Sequence, residues 1–301
     1  MNGWTGEHGR SGTDLTWAEV IQYEVQAAVV PDVAVRQTIR CAGLPWRVRH
    51  RASRIEMLLI PLSEFVMGKS KGDDAARDDE LPAHEVKLSG CFYLGRYPVT
   101  QEQYVQSGRT NPSFFGRFTV PTIEALMCEG CTRSEAERTV RAWSPPRPAS
   151  DARGREWPVE RVSWEDAAGF CKHFGLRLPS EAEWEFAARG GGCSSRFVRG
   201  ENGCWNAHRS NGMTHPVGTL PPNPLGLHDM LGNIGEWVND WYGGYPEAAA
   251  ANPTGPLCGS QRVVRGGSWG DTSVDCRPSS RGACSPNQSG NYLGFRVARD
   301  P

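Results

Sequence analysis

Thiols are the side chains in this sequence best equipped for chemistry. Ten cysteines stand at positions 41, 91, 128, 131, 171, 193, 204, 258, 276 and 284 of 301 residues. A thiolate pair can bind a soft metal, close a disulfide or carry a redox step, and each requires two sulfurs within bonding reach. Only Cys128-Glu-Gly-Cys131 has the tight spacing of metal ligands. No second pair or suitably spaced histidines accompany it, so zinc is not expected. Most of the thiols are expected to be buried and reduced.

Acids are the second candidates. Asp229 and Glu236 fall in "GLHDMLGNIGEW", where an aspartate can cap a turn and a glutamate can pair with an arginine. No glycine-rich phosphate loop followed by lysine occurs, and no Ser-His-Asp arrangement emerges from spacing. The formal charge of −1 gives no electrostatic case for nucleic acid or an anionic membrane. No apolar run reaches signal-peptide or membrane-span length, and the expectation is a cytoplasmic protein.

The elements that must position these groups are short. Gly 35, Pro 22 and Trp 11 are high counts for this length and predict a fold rich in irregular backbone. "TDLTWAEVIQYEVQAAVV" has apolar residues at Val20, Ile21, Tyr23, Val25 and Val29 and predicts an amphipathic helix ended by Pro31. "DVAVRQTIRCAG" predicts a second helix closed by Gly43, and "PWRVRHRASRIEMLLIP" a pair of strands. Residues 1–43 are therefore read as an N-terminal helical extension and 44–301 as the main domain. Within that domain Thr100-x-x-Gln103, Ser163-x-x-Asp166 and Ser180-x-x-Glu183 mark three helix starts. The Pro- and Arg-rich stretch within 107–158 is expected to be an exposed insertion. Two to three main helices and few short strands make an α+β domain.

Six motifs in order carry a resemblance: "IEMLLIPLSEFVMG", "HEVKLSGCFYLGRYPVTQEQY", "PVERVSWEDAAGFC", "LRLPSEAEWEFAARGG", "NPLGLHDMLGNIGEWVNDWY" and "RVVRGGSW…LGFRVA". From about residue 55 to the C-terminus the chain resembles the formylglycine-generating enzymes and their sulfatase-modifying-factor relatives. The resemblance implies their irregular C-type-lectin-like fold, with a C-terminal segment forming the ligand-facing surface. The oxidases of that family use a C-x4-C pair after Gly-Gly-Ser, with copper on the two thiolates. Here the first of those positions falls on Asp271 and the second on Cys276, and Cys284 does not restore the spacing. No copper is expected. The family's structural calcium site maps onto Asp229, Gly232, Ile234 and Glu236, where hard oxygens would suit a structural Ca²⁺.

The last residues, 265–297, set rigid anchors ("RGGSW" and "LGFRV") around a loop without hydrophobic period. That arrangement is similar to the variable proteins of diversity-generating retroelements, in which template adenines are miscopied and asparagine codons become NNY codons. Gly270, Asp271, Thr272, Ser273, Val274, Asp275, Gly282, Ala283, Cys284, Ser285, Asn287, Gly290, Asn291 and Tyr292 are all encodable that way; Gln288 is not. The resemblance implies a non-catalytic protein that binds a protein or other macromolecule through these side chains. Trp269 would plug the core, and Phe295, Arg277, Arg281 and Arg296 would support the loop from beneath. The alternative is an oxidase or enzyme-like relative acting on a protein cysteine.

Overall fold

A computed structural model describes residues 15–115, 127, 130, 132–142, 156–191 and 203–301. Cys128, Cys131 and Cys193 lie outside the described residues. Among the described residues the chain forms five helices and twelve short strands in three sheets.

The first sheet runs β1-β2-β3-β6-β12, using Ala18–Gln22, Arg47–His50, Glu56–Ile60, Phe92–Gly95 and Ala298–Arg299. The second runs β10-β9-β7-β11, from Arg281–Cys284, Arg262–Arg265, Gly235–Trp241 and Leu293–Phe295. The third runs β4-β5-β8, from Ser63–Met67, His84–Leu88 and Ala250–Ala251. Pairing is antiparallel except at β11 with β7 and β8 with β5. After the C-terminal loop the chain pairs β11 with β7, then closes the first sheet by placing β12 on β6.

The expected helix starts are where the helices begin. Thr100 caps α2 (Gln101–Val105), Ser163 caps α4 (Trp164–His173) and Ser180 caps α5 (Glu181–Ala188), each in a reciprocal capping box. In the last, Ser180 Oγ accepts from Glu183 N at 3.2 Å while Glu183 Oε2 accepts from Ser180 N at 2.8 Å. Such a cap satisfies two orphan donors and is worth about 1 kcal/mol. Between α2 and α4 lies α3 (Arg133–Ala142).

Two expectations need correction. The first predicted helix is strand β1, paired with β2 from Ala18 opposite His50 onward. β-branched residues such as Val20 and Ile21 suit a strand edge, and an available partner edge decides against the helical period. The second element is a helix as expected, α1 (Val33–Cys41), capped by Asp32. Ala18, Val25, Val30 and Ile39 share the main hydrophobic cluster with Trp184, Trp237 and Phe295. Most of the Pro- and Arg-rich stretch, 143–155, lies outside the described residues; of the rest of the insertion, Phe114, Phe115, Ala136 and Trp157 are buried in a second small cluster with Met213.

Candidate functional site

Buried arginines hold the C-terminal segment. Arg265 is buried and donates to the carbonyls of Ser279 (2.9 Å), Ser280 (2.6 Å) and Pro278 (2.8 Å), and to the Glu185 carboxylate. Arg277 donates to Val274 O at 2.6 Å and pairs with Asp73 (2.7 Å) and Glu80 (2.5 Å). Arg281 pairs with Glu181 at 2.6 Å and donates to Asp79 O and Gly243 O. A planar guanidinium can satisfy several carbonyls at once, which fixes loop backbone without using the loop's exposed side chains. At the entry, Gly266 has φ +94 and Gly267 φ +67. A Cβ at Gly266 would lie 2.9 Å from Met230 O, so the turn requires glycine.

A groove of about 540 Å³ opens above this scaffold. One wall is Ser268, Trp269, Gly270 and Asp271; the other is Ser289, Gly290, Asn291 and Tyr292. Gly130, Glu135 and Arg138 from the insertion, with Ala207 and Gly212, complete it. Trp269 Nε1 donates to Asn291 O at 3.0 Å and ties the two walls together. The ring meets Phe115 edge-on at 5.3 Å. Tyr292 projects outward at 36% exposure, and its hydroxyl accepts from Gln288 Nε2 at 2.7 Å.

Of the fourteen surface positions expected from the sequence, the groove gathers Gly270, Asp271, Gly290, Asn291 and Tyr292. Thr272, Val274, Ser285 and Asn287 are exposed beyond it, while Ser273 is half-buried. Gly282, Ala283 and Cys284 belong to edge strand β10 and do not line the groove. Four assignments change. Asn291 is buried, its carbonyl taken by Trp269. Asp271 turns back on its own chain, accepting from Ser268 N (2.8 Å) and Ser268 Oγ (2.7 Å), and Asp275 pairs with Arg77 and accepts from Thr272 Oγ1. Trp269 is half-buried, a groove wall and not a core plug. Phe295 is fully buried, as expected of the support. Glu135, Arg138, Ala207 and Gly212 were not legible, because they come from segments distant in sequence with no shared motif.

The four calcium candidates do not form an open oxygen cage. Both Glu236 oxygens are engaged: Oε2 accepts from Trp184 Nε1 (2.7 Å) and Arg296 Nε (2.6 Å), and Oε1 from Arg296 Nη2 (2.7 Å). Arg296 Nη2 also reaches Asp229 O at 3.3 Å. Asp229 Oδ2 accepts from Gly218 N at 2.6 Å, and burial pushes its carboxyl up to about 6. Gly232 and Ile234 shape the turn, with Gly232 N donating to Gly266 O and Ile234 N to Gly232 O. Among the described residues no group of three or more His, Cys, Asp or Glu could hold a metal ion.

Cys276 is fully buried. Its neighbour, missed in the sequence, is Cys204, whose thiol shares a hydrogen bond with it. Neither thiol lines the groove, and Asp271 occupies the wall instead. No described helix is long and apolar enough to cross a membrane.

Comparison with known proteins agrees with this architecture. The chain is 35% identical over 252 residues to the serine/threonine-protein kinase pkn1 of Chlamydia pneumoniae, covering 81% of this chain but only 38% of that protein. It is 33% identical over 288 residues to the formylglycine-generating enzyme of Streptomyces coelicolor, covering 84% of this chain and 91% of the enzyme. A further relative, 30% identical over 290 residues and covering 84% and 91%, is the inactive Cα-formylglycine-generating enzyme 2 of Bos taurus. Among solved structures, Treponema denticola variable protein 1 superposes with a TM-score of 0.64 at 25% identity, covering 82% of this chain and 95% of that one. Residues 46–301 match the sulfatase-modifying factor enzyme 1-like domain, and the chain belongs to that family.

Proposed function

We propose that this protein is a non-catalytic binder that presents the groove between residues 268–271 and 289–292 to a protein or other macromolecular ligand. The observation that carries the reading is the replacement of chemistry by shape at the groove. Its walls offer Asp271, Trp269 and Tyr292, while the buried thiols of Cys204 and Cys276 do not line it. An exposed tyrosine, a half-buried tryptophan and small polar neighbours are the composition of adaptable recognition surfaces. The arginine scaffold supports the same reading, because it holds backbone and leaves outward side chains free to differ. Similarity to a variable protein and to an inactive relative fits a binding role, whereas similarity to formylglycine-generating enzymes keeps the oxidase as the second reading. The test is to load the protein with copper and incubate it in air with a cysteine-containing sulfatase peptide. Mass spectrometry should find the cysteine unchanged. Copper-dependent conversion to formylglycine would replace the binding role with the oxidase.

A further inference from the structure

The stretch after Cys204 is laced to the C-terminal segment along its length. Ala207 N donates to Asp271 O (2.8 Å), Ser210 Oγ to Trp269 O (2.7 Å) and Gly232 N to Gly266 O (2.8 Å). Two positive-φ glycines make room for two sulfurs inside this lattice. A Cβ at Gly232 would stand 3.1 Å from Cys204 Cβ, and one at Gly267 would stand 2.9 Å from Cys276 Sγ. The two thiols, far apart in sequence, share a hydrogen bond and are 1% and 0% exposed.

We propose that Cys204 and Cys276 are a modification site, which a hydroperoxide closes to a disulfide that staples the C-terminal segment to its underlying support and a thiol reductant reopens. The hydrogen bond from Cys276 lowers the Cys204 thiol, with Arg209 helping against burial, so Cys204 supplies the attacking thiolate. The Cys276 thiol is held up by that same hydrogen bond, by burial and by Asp271 and Asp275. It keeps its proton until a sulfenic acid stands beside it. In the first step the Cys204 thiolate attacks one oxygen of hydrogen peroxide and breaks the O–O bond, giving a sulfenic acid and hydroxide. In the second, the Cys276 sulfur attacks the Cys204 sulfur, and the sulfenic hydroxyl leaves with the Cys276 proton as water. Two thiols and one peroxide thus give one disulfide and two waters; the sulfurs lose two electrons and the peroxide gains them. This chemistry is independent of what the groove binds.

The experiment uses the full chain, reduced, desalted and titrated with hydrogen peroxide to equivalence. Free thiols are then alkylated under denaturing conditions and the digest is mapped by mass spectrometry. A peptide linked through Cys204 and Cys276 should accumulate before exposed Cys41 and Cys258 are oxidised, and dithiothreitol should abolish it. Melting temperature should rise by roughly 5 °C on closure, since the cross-link restricts the unfolded chain. Cys276→Ser should leave Cys204 as a sulfenic acid trapped by dimedone. The proposal is overturned if both cysteines stay alkylatable while Cys41 and Cys258 oxidise, or if Cys204 links to another cysteine. The peptide map of the unaltered protein decides the matter even if the variant misfolds.

Discussion

Arg296 and Glu236 form a buried two-pronged ion pair, Nε to Oε2 at 2.6 Å and Nη2 to Oε1 at 2.7 Å, which engages the last of the four positions expected to hold calcium. The guanidinium supplies the positive charge that a cation would otherwise bring. A chelator should therefore leave the melting temperature unchanged. Glu236→Gln should cost about 3–5 kcal/mol in denaturant titration, because it strands a buried arginine. A chelator-induced drop in melting temperature would restore calcium to Asp229, Gly232, Ile234 and Glu236.

Asp240 makes stability depend on pH. Asp240 is 2% exposed, and its carboxyl accepts from Glu181 N at 2.8 Å; burial and the nearby Glu181 push it up to about 8. Between 3.8 and about 8 the folded chain holds a proton that the unfolded chain has released. This contribution is complete below the unfolded value and is lost as pH rises toward 8, on the order of 1 kcal/mol per pH unit. Asp240→Asn keeps an acceptor and removes the titration. The stability difference between the variant and the unaltered protein should grow in the variant's favour from pH 4 to 8, followed by urea melts; a difference flat with pH would refute the assignment.

Substitutions on the C-terminal segment should separate by what each side chain holds. Changing Thr272, Ser285, Asn287 and Tyr292 together should cost within roughly 1 kcal/mol, because exposed side chains contribute little to folding. Asp271→Ala should cost about 1 kcal/mol by itself, since it removes both bonds to Ser268. Trp269→Ala should cost about 2 kcal/mol, less than a fully buried tryptophan, because the ring is a half-buried wall. Equal losses for the exposed set and Trp269 would contradict the separation of scaffold from surface.

Much of the frame was legible because it is local. Ser163 and Asp166, or Ser180 and Glu183, announce a helix start within four residues, and the motif order carried the fold. What failed was long-range. The residues around Val20 suit either period, and only the free edge of β2 makes them a strand. Asp271 and Asp275 have the composition of a variable surface, yet Ser268 and Arg77 claim them. Cys204 carries no signal toward Cys276, because their meeting depends on the turns at Gly232 and Gly267.

On the proposed binding role, exposed positions in and beside the groove are free to change while the residues that support them are not. Deep sequencing of codons 265–297 in a population grown from one cell carrying the gene separates the two sets of positions. Changes should concentrate at outward positions such as Gly270, Thr272, Asn287 and Tyr292, with Arg265, Gly266, Gly267, Phe295 and Arg296 constant. A uniform sequence, or changes spread equally over support and surface, would contradict it.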